Sequence, residues 1–405
     1  MSNNLTASFE DIWAREQQEV FLKKSVAMVM ADTSFDSTMR SGDVLVRTYR
    51  STDAEDVPGV ITRYEDITPT DVTDTAETLT VNKQFGDLIQ LADFDAIQSK
   101  YNVAINYGKD QGIKMTTQVD ADVLGEVVNA ESTVDAGDVG GTAGQGIALT
   151  TSNVLNVVTA ATKKLTKLNV YDDAKVGIVS PEFEEIITQY YGVKATDLGD
   201  DVTLNGYFTK MSGYKLHSSN NLTGTAVLAM ATNPTATNTV VIQGVTFTFV
   251  SSIGTTPGNV LIGGSADATR ANLEALINAP HTTTANGVAL SAANAKKFRA
   301  RVSAVNDDTA NTLTVTYKWA GVLTVSETLA DAGDIWTTTL QKQHCVFGVK
   351  NKMTTLVMQK KPSVEVRKEP RQQTDNIINT MLYGLKTFRD NAKCMVNVEI
   401  KADGF

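Results

Sequence analysis

Apolar residues recur at the three- and four-residue spacing of an α-helix in two long stretches of the chain. The first stretch, residues 5–30, has its apolar positions at Phe9, Ile12, Trp13, Val20 and Phe21. The second, residues 91–128, would be roughly 55 Å long at ~1.5 Å per residue, with Gly108 and Gly112 weakening its middle. Both are predicted to be helices. The first precedes every core-forming segment, so we expect it to pack on a neighbouring surface.

Between these helices, residues 43–83 alternate extended pieces around a polar stretch. Residues 44–47 and 78–81 have the composition of strands, and residues 53–74 between them are polar and charged. The pattern predicts a long two-stranded hairpin with a charged tip. A two-stranded ribbon is at best marginally stable alone in water, so we expect it to lie on an adjacent subunit.

The segments that follow predict an α/β layer. Residues 135–146 are rich in glycine and predict a flexible connector, after which come a helix over 151–168 and a buried strand over 175–179. Pro181 suits the first turn of the next helix. Towards the C-terminus the pattern predicts strands at 344–349 and 354–358, a helix at 374–388 ending near Gly384, and a last strand at 393–400.

Residues 224–340 differ in composition from the segments on either side. They are rich in Thr, Ala, Asn and Val and contain only six basic and seven acidic residues. A guest domain inserted into a host needs its two ends close together on an exposed loop. We therefore predict an inserted domain in an outward-facing loop between Asn221 and Gln341.

Inside this segment the pattern predicts a β-rich module with one helix. Residues 239–251 alternate around Gln243-Gly244, which indicates a hairpin, and residues 259–262 follow as a strand. Ser265 has the position of an N-cap for a helix that ends at Asn278. Residues 298–305 and 312–317 are expected to complete a small, mostly antiparallel sheet.

Composition is that of an ordinary globular protein of 405 residues, with 42% hydrophobic and 20% charged residues, and the length suggests two or three domains. A formal net charge of −10 argues against general attraction to nucleic acid or anionic lipid. We expect no secretory signal, no membrane span, and synthesis in a cytoplasm. Cys345 and Cys394 stand far apart and predict buried thiols, with a disulfide as the alternative.

Residue types that carry chemistry are scattered along the chain. The three histidines, His217, His281 and His344, lack the spacing of metal ligands. The acid pairs 184–185 and 200–201 stand in polar surroundings that give no reason for a shifted pKa. Segments 108–110 and 141–146 lack the residues or the preceding strand of a phosphate or dinucleotide loop. The sequence therefore predicts no catalytic, cofactor-binding or metal-binding residue, and a protein that is not an enzyme.

Two further patterns have simple readings. The basic residues Lys360, Lys361, Arg367, Lys368 and Arg371 are interleaved with Glu365 and Glu369. That alternation predicts a solvated strand face, with a subunit contact as the alternative. The glycosylation sequons at Asn4 and Asn221 mean little without secretion.

Several segments, taken in their order, resemble the major capsid proteins of tailed phages. Residues 81–94 (VNKQFGDLIQLADF) are similar to that family's passage from hairpin loop to spine helix. Residues 204–222 (LNGYFTKMSGYKLHSSNNL) resemble its turn of pattern G-[FY]-x-[VL]-x-x-S-N-N-L. Three later segments, 346–353, 361–366 and 381–386, follow in the family's order. The resemblance covers most of residues 1–222 and 341–405.

This resemblance implies an α+β fold of the Hong Kong 97 type. Its implied parts are an N-terminal arm (1–42), an extended hairpin loop (43–84), the spine helix with the first part of a peripheral domain (85–150), the first part of an axial domain with a central sheet (151–223), and a return to the axial and peripheral domains (341–405). The inserted domain (224–340) is absent from the family's minimal pattern and is β-rich in its own right.

The implied function is self-assembly into the icosahedral shell of a virion that encloses double-stranded DNA. The implied partners are further copies in hexamers and pentamers, a portal, scaffolding or decoration proteins, and DNA enclosed without sequence-specific binding. No cofactor and no membrane partner are expected. The inserted domain is expected on the outer surface, where it would brace neighbouring subunits or decorate the shell. No crosslinking Lys and Asn pair can be aligned, and we expect no long N-terminal scaffolding segment.

Three other functions remain open on the sequence alone. The same fold could form the shell of a cellular nanocompartment. The Thr-rich segment would suit a surface adhesin, which would need an export signal. A hydrolase based on an acid pair would lose its activity on mutation of Glu184 or Glu185.

Overall fold

The computed structural model of the chain describes residues 25–39, 42–50, 63, 74–92, 103–171, 174–192, 210–318, 323–369 and 374–401. Its α-helices within these ranges are α1 (Val103–Gly125), α2 (Val154–Lys167), α3 (Pro181–Gly192), α4 (Ala266–Asn278), α5 (Ala292–Phe298) and α6 (Arg389–Lys393). The strands up to Met211 are β1 (Ala31–Asp32), β2 (Val44–Arg50), β3 (Asp74–Thr80), β4 (Lys83–Ala92), β5 (Ser132–Val134), β6 (Lys175–Val179) and β7 (Lys210–Met211). The later strands are β8 (Tyr214–Ser218), β9 (Gly224–Ala229), β10 (Thr239–Ile242), β11 (Val245–Val250), β12 (Asn259–Leu261), β13 (Val302–Asp307), β14 (Thr312–Tyr317), β15 (Val325–Glu327), β16 (Lys342–Val349), β17 (Thr354–Glu369), β18 (Thr374–Lys386) and β19 (Met395–Lys401).

A central mixed sheet joins strands from both halves of the chain. Its order is β13-β14-β9-β16-β6-β8-β7, with β19 paired to the other side of β16 and β5 paired to β19. Strand β16 is buried from its second residue to its last, because neighbours cover both of its faces, and this accounts for its continuous apolar run. The predicted strands at 175–179 and 344–349 and the helix at 151–168 are confirmed by β6, β16 and α2.

Helix α3 begins where the sequence predicted. The amide of Phe183 donates to Ser180 Oγ (3.2 Å), so Ser180 satisfies a free N–H of the first turn while Pro181 occupies the first helical position. Phe183 and Ile187 are the buried residues of this helix. The ring of Phe183 lies 5.9 Å from that of Phe347, which fixes α3 on strand β16.

A second sheet, of order β1-β17-β18-β4, lies beside α1. The predicted helix at 374–388 is wrong, since residues 374–386 form the 13-residue strand β18 between β17 and β4. Buried Ile377, Asn379, Met381 and Tyr383 alternate along it, as a strand requires. The residues between them are half-buried wherever the structure describes them, so apolar side chains occur on both faces and imitate the spacing of a helix.

The predicted helix at 91–128 is wrong at its start. Residues 83–92 form strand β4, which pairs with β18, and helix α1 begins at Val103 after a segment outside the described residues. At the other end, Glu126–Asn129 form a 3₁₀ turn. Four apolar residues of the predicted face, Val119, Val123, Leu124 and Val127, are buried.

Strands β2 and β3 confirm the predicted hairpin strands, since they pair antiparallel from Val44 opposite Thr80 to Arg50 opposite Asp74. Most of the polar tip lies outside the described residues. So does most of the predicted N-terminal helix at 5–30. That helix is wrong at its end, because Ala27–Val29 form a 3₁₀ turn followed by β1, which pairs with β17.

Residues 224–340 enclose a hydrophobic cluster of their own. Its aromatic members are Phe247, Phe249, Phe298 and Trp336. The hairpin β10–β11 and helix α4 are confirmed, and Ser265 Oγ accepts from the amide of Ala268 (3.2 Å) as the predicted N-cap. The two ends of the segment are neighbours, since Gly224 pairs with Gln343.

The expected single small sheet within this segment is wrong. Strands β12-β11-β10-β15 form one sheet, whereas β13, β14 and β9 continue the central sheet through β16. The predicted strand at 298–305 is also shifted, because Phe298 ends helix α5 and β13 begins at Val302. Ala300 between them has a positive φ of 60°, so the chain turns sharply before the strand.

The predicted flexible connector at 135–146 is a folded loop. Residues Ala136–Val139 form a 3₁₀ turn, and the amide of Gly144 donates to Asp135 Oδ2 (2.6 Å). The amide of Ile147 then donates to Glu399 O (2.8 Å), which fixes the end of the loop on β19. None of the described helices combines the length and the apolar character needed to cross a membrane.

Candidate functional site

The fold keeps the three histidines apart. His344 is buried on β16, where its two ring nitrogens lie 3.0 Å from Thr225 Oγ1 and 3.0 Å from Asn397 Oδ1, and burial lowers its pKa. His217 is half-buried on β8 and His281 is exposed. Across the described ranges, no three His, Cys, Asp or Glu side chains come together as potential metal ligands.

The other chemical candidates are equally dispersed. Glu184 is half-buried and Glu185 exposed on α3, where Glu185 Oε1 accepts from Gln189 Nε2 (3.0 Å). Residues 200–201 lie outside the described part. Cys345 and Cys394 are both free thiols; Cys345 is buried as predicted, whereas Cys394 is only half-buried. Burial raises the pKa of Cys345 to about 12.

The glycine-containing segments are not nucleotide loops in this fold. Segment 108–110 lies within helix α1, and segment 141–146 belongs to the folded loop before Ile147. The basic cluster runs along β17, where Lys360, Lys361 and Arg367 are exposed and Arg367 Nη2 lies 2.7 Å from Glu365 Oε2. This confirms an exposed strand face, with Arg371 outside the described residues.

One densely connected buried polar group is a carboxylate that the sequence did not single out. Asp120 lies on α1 and is 1% exposed. Its Oδ1 accepts from Ser25 Oγ (2.8 Å) and from the amides of Val26 and Ala27 (both 2.7 Å). Its Oδ2 accepts from Asn221 Nδ2 (2.7 Å). Asp120 therefore joins the end of the N-terminal segment and the turn before the inserted segment to one helix.

Asp122, two residues further along α1, makes a second junction. It is 2% exposed, and its Oδ2 accepts from Tyr383 Oη (2.7 Å) and from Lys83 Nζ (2.9 Å). Its Oδ1 lies 3.5 Å from Lys318 Nζ, which comes from the inserted segment. A Cβ at Gly125 would lie 2.8 Å from Lys318 Cε, so the lysine chain runs across that glycine. The sequence pattern that could have pointed to these two junctions is the presence of two acidic residues, Asp120 and Asp122, in an otherwise apolar stretch of α1.

The hairpin of β2 and β3 has one covered face and one exposed face. Leu45, Tyr49 and Leu79 contact a small cluster that includes Val357 and Phe388. Arg47, also on this face, lies 5.5 Å from the ring of Phe388 and 3.3 Å from Asp390 Oδ2. One face of the hairpin base therefore packs on its own chain. This differs from our expectation that the ribbon lies on an adjacent subunit.

The opposite face of the hairpin has no such cover. Val44 and Val46 are 43% and 56% exposed there. The long second sheet also exposes apolar side chains at its distal end, where Leu88 on β4 is 54% exposed and Val366 on β17 is 56% exposed. These two lie on opposite faces, because Leu88 stands beside Ile378 and Val366 beside the adjacent Ile377. Val44 and Val46 are therefore neighbouring exposed valines on one face of the hairpin, whereas Leu88 and Val366 are isolated exposed residues.

The fold of this chain was compared with those of known proteins. No family model matches the sequence, and no curated protein matches it. Three solved structures resemble it over nearly the whole length of both chains. With a chain of Mycobacterium phage Che8 the TM-score is 0.56 at 13% identity, over 96% of this chain and 96% of that one.

The other two are a chain in the capsid of cyanophage P-SCSP1u and one in the mature capsid of bacteriophage PhiM1. The first has a TM-score of 0.57 at 11% identity, over 99% of this chain and 95% of that one. The second has a TM-score of 0.53 at 10% identity, over 97% and 92%. The chain therefore has the mixed helix and strand fold of phage capsid structures, as its sequence resemblance predicted.

Proposed function

We propose that this chain is the major capsid protein of a tailed bacteriophage and self-assembles into the icosahedral shell of its virion. The observation that carries the proposal is the fold match, which spans 92% or more of each of the three phage chains. The exposed outer face of the hairpin supports it, because an extended ribbon with uncovered Val44 and Val46 gains stability from a neighbouring subunit. The role is structural rather than enzymatic.

The assembled form would consist of hexamers and pentamers of this chain, joined by contacts between unlike surface patches. Such contacts close into rings and shells when the rotation between copies allows it. A portal and a scaffolding or decoration protein would complete the particle, which would form in the host cytoplasm. The net charge of −10 suits a container that encloses double-stranded DNA without gripping it.

Within this proposal, residues 224–340 are an inserted domain on the outer surface of a Hong Kong 97-type subunit. Two features of the segment support this assignment. It has its own hydrophobic cluster, and its first residue, Gly224, pairs with Gln343, which lies just beyond its last residue. A domain in that position would brace neighbouring subunits or decorate the shell.

The test is assembly of the purified chain, followed by electron microscopy and sedimentation. Val46→Glu should leave a folded subunit that fails to form shells, because a charge buried at an apolar contact costs several kcal/mol. Val46→Thr is the matched control, since it keeps the β-branched shape without a charge, and it should still assemble. Shells formed by Val46→Glu as readily as by the unaltered chain would remove the hairpin from the interface. Absence of closed shells under every assembly condition would refute the proposed function itself.

A further inference from the structure

A cleft of ≈ 470 Å³ lies where the inserted segment meets the rest of the chain. One side is formed by the turn from β3 into β4, residues 82–85, and by Asp122 of α1. The other side is formed by residues 299–303, which link α5 to β13, and by Lys318 after β14. The cleft therefore exists only because three distant parts of the chain meet there.

The ionisable side chains that line this cleft are strongly basic, although the chain as a whole is acidic. Four cations, Lys83, Arg299, Arg301 and Lys318, share the lining with a single carboxylate, Asp122. That carboxylate is already engaged by Tyr383 and by both lysines. The lining thus keeps an excess of positive charge in a chain whose net charge is −10.

Two guanidinium groups make this excess suited to carboxylates. Arg301 is half-buried and hydrogen-bonds the hydroxyl of Tyr317, a neutral partner. Burial lowers the pKa of Arg301, which means that its charged form is poorly solvated where it lies. Arg299 is exposed at the same cleft. Guanidinium groups bind carboxylates in a two-pronged geometry, so an anion with several carboxylates would be well matched here.

The chain itself contains a segment of complementary charge. Residues 51–73, between β2 and β3, contain six acidic residues and one basic residue, Arg63. Strand β3 separates this segment from the cleft by seven residues, which is roughly 20 Å at ~3.3 Å per residue. To reach the cleft of its own chain, the segment would have to fold back along the whole length of β3. A second copy has no such constraint.

We propose that this cleft binds the acidic segment 51–73 of a second copy of the chain, with carboxylates of that segment paired to Arg299 and Arg301. The inference rests on the proposed self-assembly and adds to it a specific charged contact between copies. The inserted segment then supplies half of a contact surface, because Arg299, Arg301 and Lys318 all belong to it.

The test measures binding of a fluorescein-labelled synthetic peptide of residues 51–73 to the full chain by fluorescence anisotropy. Arg299→Glu should weaken binding at least tenfold, and Arg299 is exposed, so the variant should fold normally. Lys297→Glu is the matched control, because it reverses an exposed charge only two residues earlier, on helix α5 and outside the cleft, and should leave binding unchanged. A peptide with its six acids replaced by amides should also bind at least tenfold more weakly.

Three results would overturn the inference. The first is equal affinity of the chain for the acidic peptide and the amide peptide. The second is equal affinity of Arg299→Glu and the unaltered chain for the acidic peptide. The third is a DNA oligonucleotide that binds more tightly than the peptide and displaces it in an Arg299-dependent manner. Shell formation is scored separately by electron microscopy. Shells without Arg299-dependent peptide binding would refute this inference alone, and peptide binding without shells would refute the proposed function alone.

Discussion

Replacement of Asp120 by alanine should release the start of the described chain from helix α1. Asp120 is 1% exposed and accepts four hydrogen bonds, three of them from residues 25–27 and one from Asn221. Alanine would leave two backbone amides and the Asn221 side-chain amide without their acceptor. A buried donor without a partner costs about 1–3 kcal/mol.

The total loss is limited because residues 25–27 can detach and become hydrated. We therefore expect a destabilisation of about 3–5 kcal/mol, which is the lower part of the sum for three unpaired donors at about 1–3 kcal/mol each. A local opening made easier by 3 kcal/mol corresponds to roughly hundredfold faster amide exchange, since 1.4 kcal/mol is a factor of ten. Hydrogen exchange followed by mass spectrometry of a peptide spanning residues 25–30 measures this directly.

Asp120→Asn is the discriminating control. It keeps one oxygen for residues 25–27, and its amide nitrogen would face Asn221. Asn221 Oδ1 has no hydrogen-bond partner among the described residues, so rotation of that amide could supply an acceptor. The loss should then be only about 1–2 kcal/mol, the difference between charge-assisted and neutral bonds. If the amides of residues 25–30 exchange as slowly in Asp120→Ala as in the unaltered chain, the hydrogen bonds of Asp120 are not what holds these residues in place.

Three other perturbations test other parts of the molecule. Burial lowers the pKa of His344, so the unfolded chain binds a proton on this residue before the folded chain does, and the unfolding free energy should fall as the pH drops below about 6.5. Urea unfolding between pH 5 and pH 7.5 should show this decrease, and His344→Gln should reduce it. Arg270 is fully buried and donates to Met230 O, so Arg270→Ala should lower the unfolding free energy of the inserted segment by about 3–5 kcal/mol, measured in urea by fluorescence. Replacement of residues 224–340 by a short linker should leave the rest of the chain folded, because Asp122 keeps its hydrogen bonds with Lys83 and Tyr383. Loss of the circular dichroism signal of the shortened chain would show that the predicted boundaries of the inserted domain are wrong.

Local sequence patterns were sufficient to predict elements that have one apolar and one polar face, or that begin or end at a capping or turn residue. Helix α2, the hairpin β10–β11 and the Ser265 cap are of this kind. Strand β18 is different, because β17 and β4 flank it on both sides and its apolar residues occur on both faces. A strand of that kind has the same apolar spacing as a short helix, and only its pairing partners settle its structure.

The functional features were harder to predict because they depend on contacts between distant residues. Asp120 meets residues 25–27 and Asn221, which lie about a hundred positions away on either side. The cleft draws its cations from positions 83, 299, 301 and 318. No window along the sequence contains such a set. The continuation of the central sheet into β9 and β14 likewise depends on a pairing with β16 that composition alone does not reveal.

The pairing of Gly224 with Gln343 has a practical consequence for protein engineering. Adjacent strands stand about 4.8 Å apart, so any foreign polypeptide whose own termini lie that close can be grafted at this junction. Antigens or enzymes exchanged there would be carried by every copy of the chain, and they would replace strands β9, β13 and β14 at one edge of the central sheet.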